Sequence, residues 1–153
     1  MEREHDIDVL NSLITTTIDS ANGFRESADD VRGTRFEQLF SQFARERDAV
    51  VSQLQDRVRQ MGGIPKDEGS LKAELHRSWI DLRTAVTGGA NDKAVIEEVE
   101  RGEDYLKEKY EAALADEELS AEARDAIREA YQSVRAGHDT ASALKHQMEG
   151  TSA

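Results

Sequence analysis

The sequence predicts an all-α protein in which four long amphipathic helices form one bundle and a short crossover helix joins the two helix pairs. Three observations carry that prediction. Apolar residues recur at spacings of three and four over long stretches, as they do on helices buried along one face. Only one proline occurs in 153 residues, and the paired glycines fall between the periodic stretches. Strand-like alternation is nearly absent.

The first periodic stretch covers residues 7–31, with Leu10, Leu13, Ile14, Thr17, Ile18, Ala21, Phe24, Ala28 and Val31 on its apolar side. Gly33 is placed to stop it, and Thr34 with Glu37 reads as a capping box for the next helix. That second helix carries Phe36, Leu39, Phe40, Phe43, Val50, Val51, Leu54, Val58 and Met61 and ends at Gly62-Gly63. A short connection makes the pair antiparallel. The stretch GGIPKDEGS then leads into a shorter helix, from Ser70 to about Val86, with Leu71, Leu75, Trp79, Leu82 and Val86 on one side. After the break TGGAND, a fourth helix runs from about Asp92 to Leu114, and Ser120 caps a fifth from Ala121 to about Met148. Two long helices, a crossing connection and two more long helices match the ferritin-like arrangement. Residues 7–148 make a single domain, with flexible tails at 1–6 and 149–153.

Composition narrows the function. A net charge of −12 would repel a phosphate backbone or an anionic membrane surface, so nucleic acid and membrane are excluded as partners. The absence of cysteine removes disulfides and thiol chemistry. The charged start MEREHDIDV and the lack of any run of about 18 apolar residues predict neither a secretion signal nor a membrane span, and hence a cytoplasmic protein.

The stretch EEVERGEDYLKEKYE, residues 97–111, raises the question of metal. A di-iron site of the ferritin type needs inward carboxylates from two helices and a Glu-x-x-His motif from each of two others. Of four histidines only His5 follows a glutamate, Glu2, at that spacing, and it falls in the expected tail. Helical projection at about 100° per residue turns Asp19 and Glu26 of the first helix away from the core. The stripe of the fourth helix is Val95, Val99, Leu106, Tyr110 and Ala113. Glu97 and Glu108 then face solvent, Glu100 is marginal and Glu103 falls on the stripe's edge. Arg47 lies nearest the middle of the second helix's stripe, with Glu46 on its flank, and an arginine there repels a divalent metal. On the fifth helix, Tyr131 and His138 share the edge of the stripe made by Ile127, Ala130, Val134, Ala141 and Leu144.

The expected inward polar network is therefore Arg47, Glu103, His138, Tyr131 and Arg25, with Glu103 paired to Arg47. No cofactor is expected. The alternative is a reduced site for iron or manganese at Glu100, Glu103, His138 and Glu46. His76 and Trp79, one turn apart on the crossover helix, read as structural. Asp19, Asn22 and Glu26 form a polar stripe explained by solvation, or else by contact with the crossover. Gly23, Gly102 and Gly137 sit inside long helices, where each costs about 1 kcal/mol relative to alanine, and so suggest close helix approaches. No catalytic triad, nucleophile elbow or phosphate-binding loop is present, and no catalytic residue is assigned.

The segments GFRESADDV, ARERD, HRSWIDLRTAVTGG, EEVERGED and VRAGHDTASALK resemble an uncharacterised bacterial family of ferritin-like four-helix-bundle proteins. The likeness spans about residues 7–146, and HRSWIDL followed by TGG, together with ERGED, is its most specific part. The pattern carries over at Arg47, His76, Trp79, Glu100, Arg101, Gly102, Glu103 and His138; a cysteine of some members is Val99 in this chain. The resemblance implies a ferritin-like fold and a stress-related setting, without an established activity. Together these readings lead to the expectation of a non-enzymatic, cytoplasmic stress or accessory protein that works by self-association, as a dimer for example, or by binding a protein partner. The competing expectation is a metal-binding oxidase or metal buffer.

Overall fold

The computed structural model describes residues 2–30, 36–69 and 92–151. These form four helices and no strand: α1 (Glu2–Asp30), α2 (Phe36–Gln60), α3 (Asp92–Leu114) and α4 (Ala121–Thr151). The helices α3 and α4 are the expected fourth and fifth. The crossover helix with His76 and Trp79, the Gly33/Thr34 punctuation and most of the TGGAND break lie outside the described residues.

Side-chain contacts fix the helix directions. Arg3 at the start of α1 donates to the Met61 carbonyl just past α2 (3.0 Å), while Phe24 near the other end packs on Phe40 and Phe43, so α1 and α2 are antiparallel. Tyr131–Glu111 and His138–Asp104 contacts make α4 antiparallel to α3. Arg57–Glu129 together with Gly137 against Arg47 does the same for α2 and α4, and Thr17–Tyr110 together with His5–Asp116 for α1 and α3. It follows that α2 and α3 point the same way, on a diagonal, so the end of α2 and the start of α3 lie at opposite ends of the bundle, about 37 Å apart along the axis for a helix of the length of α2. Residues 61–69 run back along α1. Gly63 lies on Ile7, the Asn11 side chain bonds Ile64 and Lys66, and Gly69 reaches Asp19.

Two ends illustrate how local sequence sets these elements. Gly62, at φ 85°, terminates α2 with the paired bonds of a Schellman motif: Gly63 N–H to the Val58 carbonyl (2.9 Å) and Gly62 N–H to the Arg59 carbonyl (3.0 Å). Ser120 caps α4 by accepting the Ala123 N–H at 3.1 Å.

The apolar stripes meet in two clusters. One gathers Leu10, Leu13, Ile14, Val50, Leu54, Val58, Leu106, Tyr110, Ile127 and Val134; the other gathers Phe24, Phe36, Phe40, Phe43, Ile96, Val99 and Ala141. Between them lies a charged layer. Ile96, which the stripe of this helix left out, is fully buried.

Several expectations need correction. Residues 2–6 are the first turns of α1 and not a tail, because His5 and Asp6 are held by the α3–α4 turn; α4 likewise continues past Met148 to Thr151. Asp19 is not solvated but buried, since the segment ending at Gly69 folds back over a face that projection of a lone helix assigns to water. Asn22 and Glu26 are exposed, as expected.

Candidate functional site

Arg47 of α2 and Glu103 of α3 are both fully buried, and the Arg47 Nη2 donates to Glu103 Oε2 in the space between the two apolar clusters. Each sits on its helix's apolar stripe, so burying the stripe buries the charge. The third participant is an absence of side chain. A β-carbon at Gly137 of α4 would lie 2.6 Å from Arg47 Nη2 and 2.8 Å from Glu103 Oε2, so glycine is what lets α4 close over the pair. Gly102 does not mark a close approach as expected: a β-carbon there meets nothing within 4 Å.

The pair is incompletely satisfied. Arg47 Nε and Nη1, Glu103 Oε1 and His138 Nδ1 are buried and have no hydrogen-bond partner among the described residues. Burial pushes the Glu103 carboxyl above its usual range; the positive charge and hydrogen bond of Arg47 act against that shift, as does His138 nearby. Beside the layer, Thr17 Oγ1 donates its only hydrogen to the Leu13 carbonyl (2.7 Å), so the Tyr110 hydroxyl donates to Thr17 (2.7 Å). Complete burial pushes the Tyr110 phenol up to about 12.

The other members of the expected network are not in this layer. His138 turns its Nε2 to Asp104, at 2.5 Å, and touches Glu103 only through its field. Tyr131 stacks against Tyr110, but its hydroxyl donates outward to Glu111 at 2.7 Å. Arg25 is exposed, bonded to Asn22 and Asp48. Projection places a side chain's root and not its tip, and all three residues are long enough to leave the core. The alternative metal set does not assemble either. Glu46, half-buried, accepts from Gln42 at 3.0 Å, Glu100 is half-buried, and neither groups with Glu103 and His138 within the reach of one ion among the described residues.

A second polar cluster escaped the sequence reading. His5 Nε2 lies 2.7 Å from Asp116 Oδ2 and 3.9 Å from Glu118 Oε2. The hydrogen bond to Asp116 raises the His5 pKa, and the Glu118 N–H, together with His5, lowers that of Asp116. Behind them the buried Asp6 accepts the Ser120 N–H at 3.0 Å. His5 and Asp116 stand 111 positions apart, so no local signal joins them; the Glu2-x-x-His5 spacing was the only trace. Among the described residues no helix is long and apolar enough to cross a membrane.

Fold and site together define an all-α protein whose four long helices enclose a diagonal arginine–glutamate pair. The chain belongs to the family described as a domain of unknown function, DUF2383, which matches residues 5–116. The match contains Arg47 and Glu103 and stops short of the Gly137 notch. No curated protein matches the chain.

Proposed function

We infer that this chain is a ferritin-like bundle, bacterial and cytoplasmic, that has no catalytic centre and acts by association with a second copy or a protein partner through its acidic outer faces, in a stress-related setting. The observation that supports this reading most is the Arg47–Glu103 pair at the middle of the core. A ferritin-type centre takes its metals from several inward carboxylates and two Glu-x-x-His motifs. Here the carboxylate between the two apolar clusters, Glu103, is already matched by a guanidinium, and His138 is committed to Asp104. An iron or manganese ion would sit against a fixed positive charge, so these residues do not fit that group.

Like copies of charge −12 repel one another, and salt relieves the repulsion by shortening the Debye length from about 30 Å at 0.01 M to about 8 Å at 0.15 M. Sedimentation equilibrium over that range is expected to show self-association that strengthens with salt. A strictly monomeric chain that consumes dioxygen on addition of ferrous iron, and loses that activity in Glu103→Gln, would overturn the reading.

A further inference from the structure

We propose that His5, Asp116 and Glu118 form a peripheral site for a divalent transition cation of the zinc type, at the end of the molecule where α1 begins and the α3–α4 turn passes over it. The ligand set is mixed, one imidazole and two carboxylates, which suits zinc better than calcium, an ion that takes six to eight oxygens.

The geometry is close to that required. The three candidate ligand atoms lie within 4.8 Å of one another. A tetrahedral zinc ion with bonds of about 2.0–2.2 Å holds its ligands roughly 3.3 Å apart. The His5–Asp116 distance of 2.7 Å is shorter than this and the His5–Glu118 distance of 3.9 Å is longer, so small movements of opposite sign bring all three onto one ion. Glu118, whose side chain is 81% exposed, is free to swing without disturbing the fold. Asp116 is already aimed: its Oδ1 accepts the Glu118 N–H, leaving Oδ2 toward the imidazole.

Two further features favour a cation at this end. The buried Asp6 carboxylate adds negative potential from α1, opposed by Arg124 of α4, whose guanidinium is engaged with the Asp116 carbonyl. Independently, a groove of about 270 Å³ opens between α1 and α3, lined by Val9, Ser12, Leu13, Thr16, Lys109 and Asp116. Asp116 belongs to both, so the groove opens beside one of the three candidate ligands, and an open three-residue zinc site takes its fourth ligand from solvent. A bound ion would clip the first turns of α1 to a turn more than a hundred residues later in the chain.

The test is titration of the full chain, stripped with chelator, with zinc chloride and separately with calcium chloride, by calorimetry and by thermal melting. One zinc per chain is expected, with a higher melting temperature in zinc and none of this in calcium. Glu118→Gln and His5→Gln should each weaken zinc binding by about tenfold or more, since even outer-shell partners of a metal contribute about that much. An equal response to zinc and calcium, or zinc binding indifferent to both substitutions, would mean diffuse attraction to an acidic surface and would overturn the site.

Discussion

Arg47 and Glu103 meet across the diagonal of the four helices, joining α2 to α3, whose backbones do not approach each other closely among the described residues. Removing one partner strands a charge in a core that is apolar on both sides. Arg47→Ala and Glu103→Ala should therefore each cost about 3–5 kcal/mol in urea unfolding, and the double variant should cost much less than their sum. Because Arg47 Nε and Nη1 and Glu103 Oε1 are unpartnered among the described residues, replacing both with apolar residues of similar volume, Arg47→Met with Glu103→Leu, should be neutral or stabilising. Additive single effects would exclude the pair as a unit.

Arg25 serves as the control. Exposed and paired to Asp48 at the surface, it should lose about 0–1 kcal/mol on substitution by alanine, in the same unfolding assay.

Gly102 and Gly137 should respond oppositely to alanine. Helix propensity favours alanine by about 1 kcal/mol at either place. At Gly102 nothing opposes it, and a gain of about 0.5–1 kcal/mol is expected. At Gly137 the new methyl displaces two buried charged tips, and overpacking of about 1–3 kcal/mol should turn the net effect destabilising. Thermal melts of the two variants decide the matter; equal shifts would remove the notch from the account.

Alkaline pH should reveal Tyr110. Its phenol is raised from 10.0 to about 12, above its unfolded value, so the associated stability is fully present below about pH 10 and is lost as pH rises through about 12. The loss amounts to roughly 2–3 kcal/mol. Absorbance at about 295 nm, compared between the native chain and Tyr110→Phe, should show this phenolate forming only near that upper pH, and Thr17→Val, which strands the hydroxyl, should cost about 1–3 kcal/mol.

Periodicity made the helices legible, and with them the inward positions of Arg47, near the middle of its stripe, and of Glu103, at the edge of its own. It failed at Asp19, where the covering surface is a loop from elsewhere in the chain, and at Arg25 and Tyr131, whose polar ends reach solvent from roots near the core. Gly137 and Gly102 looked alike in sequence, since the difference between them is made by two side chains on other helices. The His5–Asp116 contact was hidden for the same reason: it is created by the packing of α1 against the far turn.

The charged layer also bears on how the two helical pairs find each other. One turn to either side of Glu103, α3 offers Val99 and Leu106, both buried and apolar. If the α3–α4 pair docked one turn out of step, the guanidinium of Arg47 would face hydrocarbon, at a penalty of several kcal/mol for an unmatched buried ion. Leucine against leucine would tolerate such a slip far better. The diagonal pair thus acts as an error check on assembly, rejecting misaligned encounters that the greasy parts of the interface would accept.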